Sequence, residues 1–196
     1  MVMAYLQDSV QPRANLEHRP GRWVGEAAWP SPRIGERVLV LGDGTLGGDP
    51  TAGSRSIGSV QTVGLDGGAW CADGRSADLP VDQRAEDGRS LTFTSEPLEA
   101  PIELLGFAEA RLSLSADRPV ALVSARLCEV RADGSSLLVT RGQLNLCHRR
   151  SHAEPEPVVP GEAMAVTVRL DAIGHRFDAG SRLRLSLSPC YWPLAW

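Results

Sequence analysis

The chain has 196 residues, 24 acidic against 20 basic side chains, a net charge of −4 and 42% hydrophobic residues, and every basic residue is arginine. The missing lysine excludes Schiff-base, phosphate-loop and lysine general-base chemistry. The arginines are interspersed with acids and form no stripe, which argues against a nucleic-acid partner. Arginine bias together with abundant Ala, Gly and Pro also fits a GC-rich genome. No stretch approaches the ~20 apolar residues of a membrane helix, so no membrane partner is expected. Met1 to Val10 lacks the basic start and apolar core of a signal peptide. Cys71, Cys128, Cys147 and Cys190 form no CxxC pair; they read as reduced thiols of a cytoplasmic protein, without zinc-ligand spacing.

Residues 1–89 hold most of the glycine and proline. Gly42-Asp43-Gly44, Gly47-Gly48-Asp49-Pro50 and Asp66-Gly67-Gly68 are turn clusters that interrupt any element. Only Arg37-Val38-Leu39-Val40-Leu41 reads as a strand there, and the region is expected to lie as an arm on another surface. From Ser90 onward the period becomes two. Leu112 and Leu114, then Val166, Val168 and Leu170, then Leu183, Leu185 and Leu187 alternate with polar residues, each pattern predicting a half-buried strand. Pro119 to Val130 is apolar on both faces and predicts a central strand covered on both sides. Asp133-Gly134 predicts a hairpin leading into Leu137-Leu138-Val139 and Leu144. No segment holds a helical stripe. The fold class is all-β, a two-sheet antiparallel sandwich of jelly-roll type with a long irregular N-terminal arm.

The nearest approach to a Gly-x-Ser-x-Gly nucleophile elbow is Gly53-Ser54-Arg55-Ser56-Ile57-Gly58, whose spacing is wrong and which reads as an ordinary turn. His148 and His152, four apart, would share a helix face for a metal, but Pro155 and Pro157 forbid a continuing helix. Hydrogen bonds from these histidines, Arg149 and Arg150 to loop carbonyls or acids are expected instead, with no metal and no cofactor. His18 reads as solvated, and His175 as a strand-end residue. Trp23, Trp29, Trp192 and Trp196 sit in segments rich in proline and glycine that suit docking on a neighbouring surface, the alternative being a sugar-stacking platform.

Tyr5-Leu6-Gln7-Asp8-Ser9, Arg19-Pro20-Gly21-Arg22-Trp23-Val24 and Trp29-Pro30-Ser31-Pro32 resemble the segment that follows the hydrolase domain in the X-prolyl dipeptidyl-peptidase/cocaine-esterase (CocE/NonD) family. Leu91-Thr92-Phe93-Thr94-Ser95-Glu96-Pro97-Leu98, Gly106, Asp133-Gly134, Gly142, His148 to His152, Pro155-Glu156-Pro157, Pro160-Gly161-Glu162, Phe177 to Leu185 and Tyr191-Trp192-Pro193 resemble that family's C-terminal domain in order and spacing. The resemblance implies a serine hydrolase built from an α/β-hydrolase domain with a Ser-His-Asp triad, a helical cap and a galactose-binding-like jelly roll. No residue of this chain matches the triad. The chain is therefore expected to be a non-catalytic piece of such an enzyme, of dipeptidyl-peptidase or esterase type, with Met1 an artificial start. Residues 1–37 would be an arm following the hydrolase domain, and 38–196 the sandwich, with regular strands mainly over 90–188. Its implied partner is the hydrolase domain of the same polypeptide, which it would pack against and whose active-site entrance it would help wall. Trp23, Trp29, Arg149, Tyr191, Trp192 and Trp196 are the candidate interdomain contacts. Two alternatives stay open: a stand-alone carbohydrate- or ligand-binding sandwich, and a homo-oligomer formed through the docking surfaces.

Overall fold

The computed structural model describes residues 1–51 and 53–196. In chain order its elements are β1 (Val2–Asp8), β2 (Gly21–Glu26), the single-turn helix α1 (Arg84–Asp87), β3 (Leu91–Thr94), β4 (Ile102–Gly106), β5 (Glu109–Leu114), β6 (Leu122–Val130), β7 (Ser136–Asn145), β8 (Met164–Arg169), β9 (Ile173–Phe177) and β10 (Arg182–Ser188). One sheet has the order β3-β10-β6-β7, a second β2-β1-β9-β4, and β5 pairs with β8. Every named pairing is antiparallel except β1 with β9, which runs parallel over two positions.

Alternation decides which side chains meet. Leu183, Leu185 and Leu187 of β10 join Phe93, Ala125, Leu127 and Val139 on the inner face of the first sheet. Val166 and Val168 of β8, Ala110 of β5 and Phe177 of β9 face them from the other layer. The two layers close one apolar core, the sandwich that the period-two pattern predicts. The Asp133-Gly134 turn forms: Arg131 N–H donates to the Ser135 carbonyl, and Gly134 takes a left-handed φ of 83°. On β7, Gly142 lets β8 come close, because a Cβ there would lie 2.2 Å from the Arg169 carbonyl oxygen.

Strand β6 is covered on both sides as predicted, yet its second face is polar where the sequence was read as apolar. Ser124, Arg126 and Cys128 are fully buried there beneath α1 and the turns before it. Arg126 donates to Gln83 Oε1 (3.0 Å) and Ser90 Oγ (2.9 Å), and lies 3.3 Å from Asp87. Asp87 also accepts from Arg184 (3.0 Å), Ser136 Oγ (2.8 Å) and Ser186 Oγ (2.8 Å). Its neighbour Glu86 accepts from Gly64 N–H (2.8 Å) and Asp66 N–H (3.1 Å), tying the 62–67 turn to the helix. A buried charge persists when partners saturate it, and here one helical turn supplies both carboxylates.

The N-terminal part departs from expectation in two places. Residues 1–37, read as an extended arm, contain β1 and β2, which pair over six positions and extend the second sheet. No alternation announces them, since Val2-Met3-Ala4-Tyr5-Leu6 is uninterruptedly apolar. Arg37–Leu41, read as a strand, pairs with no strand. Val38 and Val40 are exposed while Leu39 and Leu41 pack on the core, so the alternation is real, but the chain turns back at once through a single Leu41–Leu46 bridge. Among the described residues between 27 and α1, the backbone is otherwise irregular apart from a Thr45–Thr94 bridge to β3.

Candidate docking surface

The C-terminal tail is fixed from within. Tyr191 and Ala195 exchange backbone hydrogen bonds (2.5 and 2.8 Å), and Trp192 N–H donates to the Val63 carbonyl (2.6 Å). Gly64 and Gly67 make room: a Cβ would lie 2.3 Å from the Trp192 oxygen at the first and 2.2 Å from Tyr191 Oη at the second. Tyr191, expected as an interdomain contact, is only 1% exposed, because the Arg141 guanidinium stacks 5.2 Å from its ring and donates to its hydroxyl (3.2 Å). Burial pushes its phenol pKa up, with Arg141 pulling the other way. This fixed stem carries Trp192, 37% exposed, and Trp196, 70% exposed, with ring centroids 5.2 Å apart and planes tilted by 57°.

A second exposed aromatic lies on β2. Trp23 is 67% exposed and packs edge-on to Tyr5 of β1, at 5.3 Å and 65°. Trp29, 43% exposed, reaches over the end of β4, where a Cβ on Gly106 would sit 3.3 Å from its ring. Neither aromatic pair is coplanar.

Arg149 does not belong with these tryptophans. Its side chain is 12% exposed and donates to the carbonyls of Leu146 (2.9 Å), Glu156 (2.8 Å) and Pro157 (3.4 Å), closing the 146–157 loop on itself. Arg150 pairs with Glu156 at 3.3 Å. The loop arginines thus bond carbonyls and an acid, and His148 and His152 stack on each other at 5.5 Å. Among the described residues no three His, Cys, Asp or Glu side chains gather as metal ligands. A groove of about 310 Å³ is lined by Arg149, Arg150, Val159, Glu162 and Met164, and its two arginines are already engaged in that loop. His18 is exposed.

His175, read as a strand-end residue, is fully buried. Its Nε2 lies 2.9 Å from Glu129 Oε2, and Phe177 packs edge-on at 4.8 Å. Glu129 Oε1 accepts from Asp178 N–H (3.0 Å). Burial alone would raise the Glu129 pKa, but the hydrogen bonds from His175 and Asp178 hold it below its ordinary value. The signal for this pair was the alternation Ile173-x-His175-x-Phe177, which puts the histidine on the core face.

A sandwich that carries its exposed tryptophans on a terminal ribbon, on two loops (Trp29 and Trp70) and on the tail has the build of an accessory β-domain. Comparison with known proteins agrees. The chain belongs to the X-Pro dipeptidyl-peptidase C-terminal non-catalytic domain family, which matches residues 2–196. Cocaine esterase of Rhodococcus sp. (strain MB1 Bresler) is 25% identical over 188 residues, covering 87% of this chain and 32% of that protein. Among solved structures, an α-amino acid ester hydrolase superimposes with a TM-score of 0.73 at 24% identity, over 89% of this chain and 33% of that one. A CocE/NonD family hydrolase from Staphylococcus aureus gives a TM-score of 0.66 at 16% identity, over 97% and 34%. The chain spans about a third of the length of the curated relatives it matches, 30% and 32% for two of them.

Proposed function

We propose that this chain serves a longer serine hydrolase of esterase or X-Pro dipeptidyl-peptidase type, packing on a preceding α/β-hydrolase domain and walling part of its active-site entrance. The observation that carries this reading is the exposure of Trp23, Trp29, Trp192 and Trp196 on a domain of a non-catalytic C-terminal family. At 37–70% exposure, each tryptophan offers on the order of 100–150 Å² to a partner. At ~25 cal/mol per Å², covering half of that surface favours association by about 1–2 kcal/mol per ring, before ordering costs. Tyr191 and Arg149 take no part in the contact: the first anchors the tail and the second closes its loop.

The test is an assay of the purified chain, and of the longer polypeptide, with a chromogenic ester and an X-Pro nitroanilide. The expected result is turnover by the longer polypeptide, abolished by a serine-directed inhibitor, and none by this chain. Inhibitor-sensitive turnover by this chain alone overturns the reading.

A further inference from the structure

Val63, Cys190 and Tyr191 are buried, yet among the described residues none of the three belongs to the apolar core closed by the two layers. They form a second, smaller cluster on the outer side of the first sheet. Tyr191 meets Arg141 there, and Arg141 shares that face with its cross-strand partner Arg126. The cluster is built from two segments far apart in sequence. Trp192 N–H donates to the Val63 carbonyl (2.6 Å), and the Cys190 thiol donates to the Val60 carbonyl (3.2 Å). Gly64 sits so close that a Cβ on it would strike the Trp192 backbone. A shift of the turn at 60–67 therefore carries residues 190–192 with it.

Side chains from β7 and α1 fasten these segments to the sandwich. Arg141 donates to the Tyr191 hydroxyl (3.2 Å) and to the Gly67 carbonyl (2.8 Å). Glu86, fully buried, accepts from Gly64 N–H (2.8 Å) and Asp66 N–H (3.1 Å), with Arg89 at 3.8 Å from the carboxylate. The ends of the turn have their own ties. Ser59 Oγ donates to the Arg89 carbonyl (2.8 Å), and the Asp66 carbonyl accepts from Gln83 Nε2 (2.7 Å) and Val81 N–H (3.1 Å). The neighbouring carboxylate does a different job. Asp87 bonds Arg126, Arg184, Ser136 and Ser186, all of the sheet. One helical turn thus grips the sheet with Asp87 and the turn beneath the tail with Glu86.

We propose that residues 60–67 and 190–196 are a flap, one unit that opens off the outer face of the first sheet while the sandwich stays closed, with Glu86 as its latch. Opening unmasks Cys190, the Tyr191 ring and the Arg141 guanidinium, and it carries the Trp192–Trp196 pair away with the tail. The position of these exposed aromatics is set by a buried carboxylate on α1. Such an opening costs less than global unfolding, because it uncovers one small cluster and leaves the main core and the Asp87 bonds intact. The device is internal to this chain and holds whatever the chain docks on.

Thiol labelling of the folded chain with peptide mapping tests this, because each unit carries its own buried cysteine: Cys190 in the flap and Cys128 beneath α1. In the parent chain Cys190 is expected to label at least about a hundredfold faster than Cys128, and low guanidinium should barely change its rate. Glu86→Gln keeps the volume but turns an amide donor toward a backbone N–H. It is expected to speed Cys190 labelling by about tenfold or more. Ser186→Ala removes one bond to Asp87 that survives flap opening, so it should speed Cys128 about fivefold and leave Cys190 unchanged. Equal labelling of both thiols in the parent, with the same steep guanidinium dependence, overturns the flap even where a variant fails to fold. Cys190 labelling untouched by Glu86→Gln overturns the latch. Cys190 responding to Ser186→Ala as strongly as Cys128 makes the opening global and overturns the proposal.

Discussion

His175 Nε2 and Glu129 Oε2 lie 2.9 Å apart with both side chains fully buried, joining β9 of one layer to β6 of the other. The carboxylate's pKa is lower in the folded chain than its ordinary value, because its hydrogen bonds outweigh burial. A depressed acid stabilises the fold above its unfolded value of about 4.3 and loses that contribution as pH falls through the folded value. Glu129→Gln is predicted to cost about 1–3 kcal/mol at pH 7 and to flatten the loss of stability below about pH 4.3. Denaturant titrations between pH 7 and pH 3 measure both, and an unchanged acid slope would contradict the assignment.

Asp87 holds Arg126 and Arg184 beneath the strap formed by α1 and the preceding turns. Asp87→Ala leaves Arg126 buried without its counter-charge, and the expected loss is about 3–5 kcal/mol. The midpoint of thermal unfolding should drop by about 2–4 °C per kcal/mol in a chain of this size. Arg150→Ala removes only the exposed pair with Glu156 and is expected to change stability by less than about 0.5 kcal/mol. Equal effects of the two substitutions would show that the buried cluster does not hold the strap.

The four thiols should separate by environment. Burial pushes Cys128 up to about 12 and raises Cys190, while Cys71 is exposed and Cys147 half-buried. A chromogenic disulfide at pH 8 is predicted to label Cys71 first and Cys147 next, reaching Cys128 only after unfolding, because the thiolate is the reacting form. Peptide mapping reads the order.

Gly142→Ala would set a methyl 2.2 Å from the Arg169 carbonyl and 2.8 Å from Leu170 Cα, forcing β7 and β8 apart. The expected cost is about 1–3 kcal/mol. Gly35→Ala, with open space around the new carbon, should stay within about 0.5 kcal/mol of the parent chain. Thermal melts of both variants decide whether close backbone approach is what glycine provides at position 142.

Much of the sandwich was legible because β5, β8 and β10 each keep one face in water or in polar surroundings, and that contrast is what period two records. The β1–β2 ribbon was not, since an apolar run without alternation has no face to read, and twelve irregular residues separate its two strands. Arg37–Leu41 shows the converse: alternation marks one side packing on the core, but a strand also needs a neighbour to pair with. Tyr191 and Arg149 were placed on the surface by residue type. Their partners, Arg141 and the carbonyls of the 146–157 loop, are set by tertiary contacts. The Asp87 cluster draws on α1, β6, β7 and β10, elements far apart in sequence, so only the folded chain brings it together.

The proposed function makes this chain, a member of a non-catalytic C-terminal domain family, part of a longer serine hydrolase. Labelling the longer polypeptide with a fluorophosphonate probe, cleaving at the junction upstream of Met1 and separating the two pieces tests it most directly. The account predicts that all label stays with the upstream piece and that residues 1–196 carry none. Label on any serine of this chain would contradict it.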